Sequence, residues 1–343
     1  MNITFRETSK PLSILKGIGI VLMVIGHTHC PTLIHDFIYL FHMALFYFAT
    51  GYFFKDKYIF EKKEFFRKRL TKLYGTWLIY GLIFLSFHNL FVFIGFYKEP
   101  TPFQGFSMTE YDIKAFINKG ITIALMNGQE LLLAPLWFLK SLLISSSLML
   151  VILYLSYQLR LKKIIQHLIF VGLLVTGWYL ITKGIRIPLN LAREFIVISI
   201  IYCGYITKRH IEKIQFNKIY ACISFIILLS FTQLGHIELS IGYIQNIPFF
   251  IICSISGIYL ILGISIKISS TNYISDVFSY LGNNTIIILC LHFLSFKITS
   301  LLCNWDISAF PTANIPYAWI IYSITGVTIP IILNYCIQKF KNI

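Results

Sequence analysis

The chain has 343 residues, of which 57% are hydrophobic and only 13% charged, a balance that excludes an ordinary soluble globular domain. Its apolar residues fall in long runs rather than amphipathic stripes, as in helices surrounded by lipid. A net charge of +15 would suit a nucleic acid, but no recognition motif accompanies it, and basic loops beside anionic lipid account for it.

A bilayer core takes about 20 apolar residues per spanning helix, and the runs predict an all-α, polytopic transmembrane bundle of about ten spans. The tail Met1 to Pro11 carries Arg6 and Lys10 and is expected in the cytoplasm. The first span is read from Leu12 to His29, a turn at Pro31 follows, and the second runs from Leu33 to Phe54. The first run lacks an A-x-A-like cleavage site and leads straight into the second, so it reads as a retained helix. Next comes the most basic loop, Lys55 to Lys72, and a third span from Leu73 to Phe96.

The polar connection Tyr97 to Glu130 contains Pro100, Pro102 and Gly105 and has room for a short surface helix around Tyr111 to Met126. The remaining spans are expected at Leu131–Tyr157, Ile164–Thr182, Ile187–Ile206, Ile219–Leu234, Ile247–Ile266, Thr285–Cys303 and Pro316–Ile337. With the N-terminus inside, only Lys98, Lys114, Lys119, Lys183 and Arg186 fall in outer loops, and most of the 29 Lys and Arg residues face the cytoplasm. That asymmetry predicts cytoplasmic N- and C-termini. No internal repeat or separate soluble domain is visible, so residues 1–343 read as a single transmembrane domain. Seven cysteines show no CxxC pair or metal spacing and behave as small hydrophobes.

Titratable groups within apolar segments usually mark function. The first two spans carry Lys16, His27, His29, His35, Asp36 and His42. Lys16 and His27 are eleven positions apart, three helical turns plus roughly 20°, hence on one helix face roughly 16 Å apart. A cation there suits a phosphate-bearing donor, and an imidazole suits general-base chemistry on a hydroxyl. The bland alternatives are a snorkelling lysine and a histidine bonded within its own helix. His29, His35 and Asp36 flank the turn, but His27 and His29 point to different faces, so no metal is expected. The small residues Ala44, Ala49, Thr50 and Gly51 around His42 read as helix packing. Arg67, Lys68 and Arg69 on the cytoplasmic side suit the phosphates of an anionic donor, against a reading as positive-inside anchoring; Arg69 is nearest the helix mouth. Arg193, Glu194, Lys140 and Lys297 are further charges inside spans, with Glu194 expected to pair with Lys140 or Lys297, or to orient His27. As immediate neighbours, Arg193 and Glu194 need not pair with each other.

LKGIGIVLMVIGHTH followed by FHMALFYFATGYFF resembles the acyltransferase 3 family of membrane acyltransferases. RKRLTKLYGTW, LWFLKSLL and NNTIIILCLHFLS resemble the family's later landmarks in order, so the resemblance covers essentially the whole chain. It implies a ten-helix enzyme in the cell membrane that moves acetyl from acetyl-CoA, as co-substrate, to a hydroxyl of a surface glycan. By the same resemblance, His27 matches the proposed catalytic histidine, Lys16 the upstream cation, His42 the second-span histidine and Arg69 the donor-binding cation. Trp137 and Phe138 match an aromatic pair, and His292 the late histidine. Ser13 stands where many members have Asp, and the proline often found after the basic stretch is missing from Lys72 to Leu82.

Two functions are weighed. The first is O-acyl transfer from acyl-CoA to a cell-surface polysaccharide or its lipid-linked precursor, with His27 as base, His42 as a candidate oxyanion donor, and Lys16 and Arg69 on the donor phosphates. The second is a transporter or flippase for a glycan or lipid-linked intermediate, which repeats with broken helices would favour. The short stretch after the tenth span suggests direct modification of the acceptor or hand-over to a separate extracytoplasmic partner.

Overall fold

The computed structural model describes residues 9–98, 106–210, 216–307 and 315–341. The tail residue Arg6 and the loop residues Pro100, Pro102 and Gly105 lie outside the described residues. In chain order the helices are α1 Ser9–Gly26, α2 Thr32–Tyr39, α3 His42–Tyr52, α4 Lys62–Arg69, α5 Gly75–Ser86, α6 His88–Phe93, α7 Ile113–Ala124 and α8 Trp137–Gln158. They continue as α9 Lys163–Thr182, α10 Leu191–His210, α11 Lys218–Phe231, α12 Ile247–Ser269, α13 Asn272–Asn283, α14 Thr285–Leu302 and α15 Ala318–Lys341. Among the described residues the strands are β1 Ile237–Glu238 and β2 Tyr243–Ile244, an antiparallel hairpin with Ile237 opposite Ile244.

Among the described residues, seven stretches are long and apolar enough to cross a membrane: Thr32–Tyr52, Leu131–Gln158, Lys163–Thr182, Pro188–Arg209, Ile247–Ser269, Thr285–Leu302 and Ala318–Lys339. At the other three expected positions the structure has α1, the two short helices α5 and α6, and the shorter α11. Several ends differ from the pattern-based expectation. The second span is interrupted at Leu40–Phe41, where Phe41 adopts φ −148°, ψ −16° and a new helix begins at His42. The third is preceded by a π-helical turn, Leu70–Tyr74, and broken at Phe87. The fourth begins as a 3-10 turn over Leu131–Leu136 that accommodates Pro135. The predicted surface helix is present as α7, capped by the Asp112 carboxylate, which accepts from the Ala115 amide at 2.7 Å. The helix α13 and the β-hairpin were not anticipated by hydrophobic pattern.

The chain divides into two compact units. The first holds 1–22, 33–69 and 141–283, and the second 23–32, 70–140 and 284–343. In the first, α3 packs against α10 and α12, and α10 against α9. Gly51 and Gly204 let α3 and α10 touch backbone to backbone, because a Cβ on either would overlap the carbonyl of Ile201 or Phe48. Ser141 donates to Glu194 Oε2 at 2.7 Å, so the Tyr47 hydroxyl, also 2.7 Å from Ser141, must donate to it. Arg193 closes on the other carboxylate oxygen at 2.6 and 2.9 Å and reaches the Ser240 carbonyl at 3.0 Å. Glu194 thus forms an ion pair with its own neighbour, which the sequence did not suggest. Arg193 is long enough to curl back near the start of α10, so helical phase does not keep the pair apart. At the other end of α3, Lys208 donates to the Phe54 carbonyl at 3.0 Å, while Asp56 accepts from Tyr205 at 2.7 Å and Arg209 at 3.1 Å. A cation beyond a helix C-terminus suits the helix dipole.

In the second unit, α14 packs against α15 and the Leu131–Leu136 turn, and α5 against α7. Thr299 bonds to Thr325 at 2.7 Å and Ser300 to Tyr322 at 2.7 Å, joining α14 to α15 through hydroxyls in an apolar setting. Such bonds contribute about 0.6–2 kcal/mol each. Gly326 completes the contact: a Cβ there would lie 2.6 Å from the Phe296 ring and 2.8 Å from Val24, so its absence seats the last turn of α1 as well. Trp77 donates to the Ile123 carbonyl at 2.7 Å, tying α5 to the C-terminal half of α7.

Candidate active site

Local sequence explains how His27 is presented. The expected helix to His29 ends instead at Gly26. The amides of His27 and Thr28 bond to Val24 and Ile25 carbonyls at 3.1 and 3.0 Å, the i−3 pattern of a tightened last turn. The Thr28 hydroxyl donates to Ile25 at 2.7 Å, and His29 adopts φ +52°, a left-handed residue that reverses the chain before Pro31. His27 thus stands one residue beyond regular helix, and the eleven-residue phase from Lys16 does not set its direction.

Half-buried, His27 has its Nδ1 3.2 Å from the Met23 sulfur. Its ring centroid lies 5.3 Å from that of His292, with the planes tilted by 37°, and 5.3 Å from Phe293, which meets it edge-on. His292 is fully buried in α14. Its Nδ1 is 3.0 Å from the Ile288 carbonyl, an acceptor, so Nδ1 carries the proton. Its Nε2 is buried without a hydrogen-bond partner. The second unit therefore presents a base-competent imidazole on a turn, backed by a second imidazole in an aromatic wall.

Lys16, His35, Asp36, His42 and Arg69 lie in the first unit. Lys16, half-buried on α1, holds its ammonium 5.6 Å from the Phe53 ring centroid. His42, buried at the start of α3, places Nδ1 3.0 Å from the Ile38 carbonyl, which also accepts from the Phe41 amide at 3.2 Å. With that proton committed, the neutral ring has a lone pair at Nε2; donating to an oxyanion would require the charged imidazolium. His35 stacks on Tyr39 at 4.0 Å and sits 3.0 Å from Asp36, and Tyr39 lies 5.0 Å from His42. Among the described residues, no group of three or more His, Cys, Asp or Glu side chains is arranged to hold a metal ion.

Arg69 ends α4 just before the π-helical turn, and its guanidinium lies 5.6 Å from the Phe65 ring. Burial, partly offset by Tyr58, lowers its proton affinity to about 10, so it remains a cation at neutral pH. Neighbouring charge is already engaged: Glu64 accepts from Lys57 and Lys68 at 2.5 Å each, and Lys62 lies 3.5 Å from the Tyr154 ring. Lys68 thus separates from the Arg67–Arg69 cluster read in the sequence. Lys140 donates to the Met126 carbonyl at 2.7 Å, and Lys297 to Ile307 at 2.8 Å. Trp137 and Phe138 open α8, half-buried and buried, with rings 6.0 Å apart.

Sequence reasoning missed one buried cluster. His88 lies 2.7 Å from Glu130 and 3.0 Å from the Thr109 carbonyl, stacked on Tyr111 at 3.6 Å with Tyr97 at 5.1 Å. It pins the connection after α6 to the start of the Leu131–Leu136 turn. A histidine within the third apolar run and a glutamate just before the next were its visible signals.

A family model described as an acyltransferase domain matches residues 11–335. No curated protein and no solved structure matches the chain.

Proposed function

Because the chain belongs to the acyltransferase 3 family over essentially its whole length, we propose that this multi-pass membrane protein transfers an acetyl or other short acyl group from acyl-CoA to a hydroxyl. The acceptor we infer is a cell-surface polysaccharide or its lipid-linked precursor, and the membrane is the cytoplasmic one. Residues 1–343 act as one transmembrane domain of about ten spans, with both termini cytoplasmic.

The observation that carries this reading is the imidazole of His27, half-buried on the last turn of α1 beside His292 and Phe293. An imidazole titrates near neutral pH and suits a base that takes a proton and gives it back. The acceptor oxygen attacks the thioester carbonyl carbon while its proton passes to His27. The tetrahedral oxyanion collapses, the C–S bond breaks, and the departing thiolate recovers the proton from His27. Arg69, and Lys16 with it, attract the donor phosphates through charge-assisted contacts. His42 supports the oxyanion if its ring is protonated. A separate extracytoplasmic partner takes over the acyl group where the acceptor lies beyond the membrane surface.

Membranes containing the protein, given acetyl-CoA labelled in the acetyl group and a candidate glycan, are expected to yield covalently labelled glycan. Movement of label or glycan across the membrane without a covalent product would replace this reading by transport.

A further inference from the structure

His292 has a chemical feature that a purely structural side chain does not need. Its Nδ1 proton is committed to the Ile288 carbonyl one helical turn back, at 3.0 Å. The neutral ring must therefore leave a bare lone pair on Nε2, which is buried and partnerless. An unsatisfied buried acceptor is destabilising, and a phenylalanine would fill the same wall without that penalty. The nearest imidazole is His27, ring centre to ring centre 5.3 Å. Phe293 meets both rings, at 5.3 Å from His27 and 4.6 Å from His292, and Phe296 stands edge-on to His292 at 5.7 Å.

We propose that His292 is the positioning residue of the transfer reaction: kept neutral and in one tautomer by Ile288, it sets its unprotonated Nε2 beside His27 and favours the imidazolium that His27 becomes. This rests on the acyl-transfer reading of His27 and deepens it by giving His292 a role. Two imidazoliums this close in apolar surroundings repel and are poorly solvated, so only one ring of the pair is charged at a time. The half-buried ring on the turn is the one that can meet a hydroxyl. The wholly buried ring stays neutral, with the negative end of its dipole at Nε2. The proton thus shuttles between acceptor hydroxyl, His27 and leaving thiolate, and His292 neither gains nor loses one.

Other titratable groups lie on the elements around this pair. His29 and Cys30 share the His27 turn; Cys290 and Lys297 lie on α14, Lys297 bonded to Ile307; Tyr322 on α15 is bonded to Ser300; Tyr80 on α5 neighbours Cys290; and Glu130, before the Leu131–Leu136 turn, is bonded to His88. Among the described residues, His27 and His292 are the pair of imidazoles in ring contact within this unit.

The experiment compares full-length wild type with His292→Phe and His292→Gln, the latter retaining a polar acceptor near the Nε2 position. Diethyl pyrocarbonate modifies only the unprotonated imidazole, so the pH dependence of His27 modification, read by peptide mass spectrometry, reports its proton affinity without turnover. In His292→Phe the midpoint is expected to fall by about one pH unit, a tenfold loss of proton affinity. Its kcat for acetyl transfer at neutral pH should fall about tenfold or more, with KM unchanged. His292→Gln should recover most of both. An unchanged His27 midpoint in His292→Phe, or a rise in KM at constant kcat, overturns the proposal. A shifted midpoint in a protein whose wild type transfers no acetyl group upholds the imidazole pairing and removes the acyl-transfer reading instead.

Discussion

Replacing Glu194 by alanine tests whether the buried polar chain of the first unit is as tightly built as its distances indicate. The carboxylate is inaccessible to solvent and holds Ser141 at 2.7 Å and two Arg193 nitrogens at 2.6 and 2.9 Å. The guanidinium is itself almost fully buried. Removing one partner of such a pair strands the other charge in low dielectric, which typically costs about 3–5 kcal/mol. Loss of the Ser141 bond adds up to roughly 2 kcal/mol at the membrane-protein scale. Glu194→Gln keeps the shape and one acceptor but removes the charge, so it should fall between wild type and alanine. Double replacement, Arg193→Met with Glu194→Leu, should recover much of the loss, because it removes the stranded charge as well. The assay is thermal unfolding in detergent followed by tryptophan fluorescence, where the alanine variant should unfold roughly 5 °C or more below wild type. An alanine variant within about 1 °C of wild type, or a double variant worse than alanine alone, would refute the reasoning.

Gly51→Leu and Gly204→Leu should each disrupt the α3–α10 contact, where even a methyl group overlaps backbone carbonyls. Overpacking of this kind costs about 1–3 kcal/mol or more, read as lower yield of monodisperse protein in detergent; equal yield and stability would contradict the close contact. Lys57 and Lys68 have proton affinities raised first by hydrogen bonding to Glu64. Glu64→Gln removes that partner, so both amines should lose protons at lower pH and react faster with an amine-directed ester at pH 8–9, measured by peptide mass spectrometry. Unchanged rates would show the pairing is absent in solution. The Glu64 carboxyl is held below its ordinary value by Glu61, Lys57 and Lys68 in that order. The cluster's contribution is therefore present above the ordinary carboxylate range and lost as pH falls through and below it. For topology, the exposed Cys303 at the end of α14 should react with a membrane-impermeant maleimide in intact cells, as cytoplasmic termini and ten spans require. Labelling only after permeabilisation would reverse that orientation.

Long apolar runs made the membrane helices legible, and their middles fall where hydrophobic pattern puts them. Their ends depend on particular side chains that pattern does not weigh. His42 begins a helix because Phe41 breaks the previous one, Pro135 tightens the entry to α8, and Thr28 with a left-handed His29 ends α1 early. The same limit applies at the site. Titratable residues in the first two spans drew attention to His27, but its companion arrives from α14, more than 260 positions later, and only packing brings the rings to 5.3 Å. Arg193 and Glu194 show the reverse failure. Adjacent residues were set apart by ideal helical phase, whereas a long guanidinium side chain reaches back across that phase.

The most direct test of the account is acetyl transfer by His27→Ala in membranes, with labelled acetyl-CoA and a glycan that wild type acetylates. Protein level and detergent stability are measured alongside. The account predicts that the variant accumulates and folds like wild type but places no label on the glycan. Transfer at the wild-type rate by a folded His27→Ala protein would contradict it.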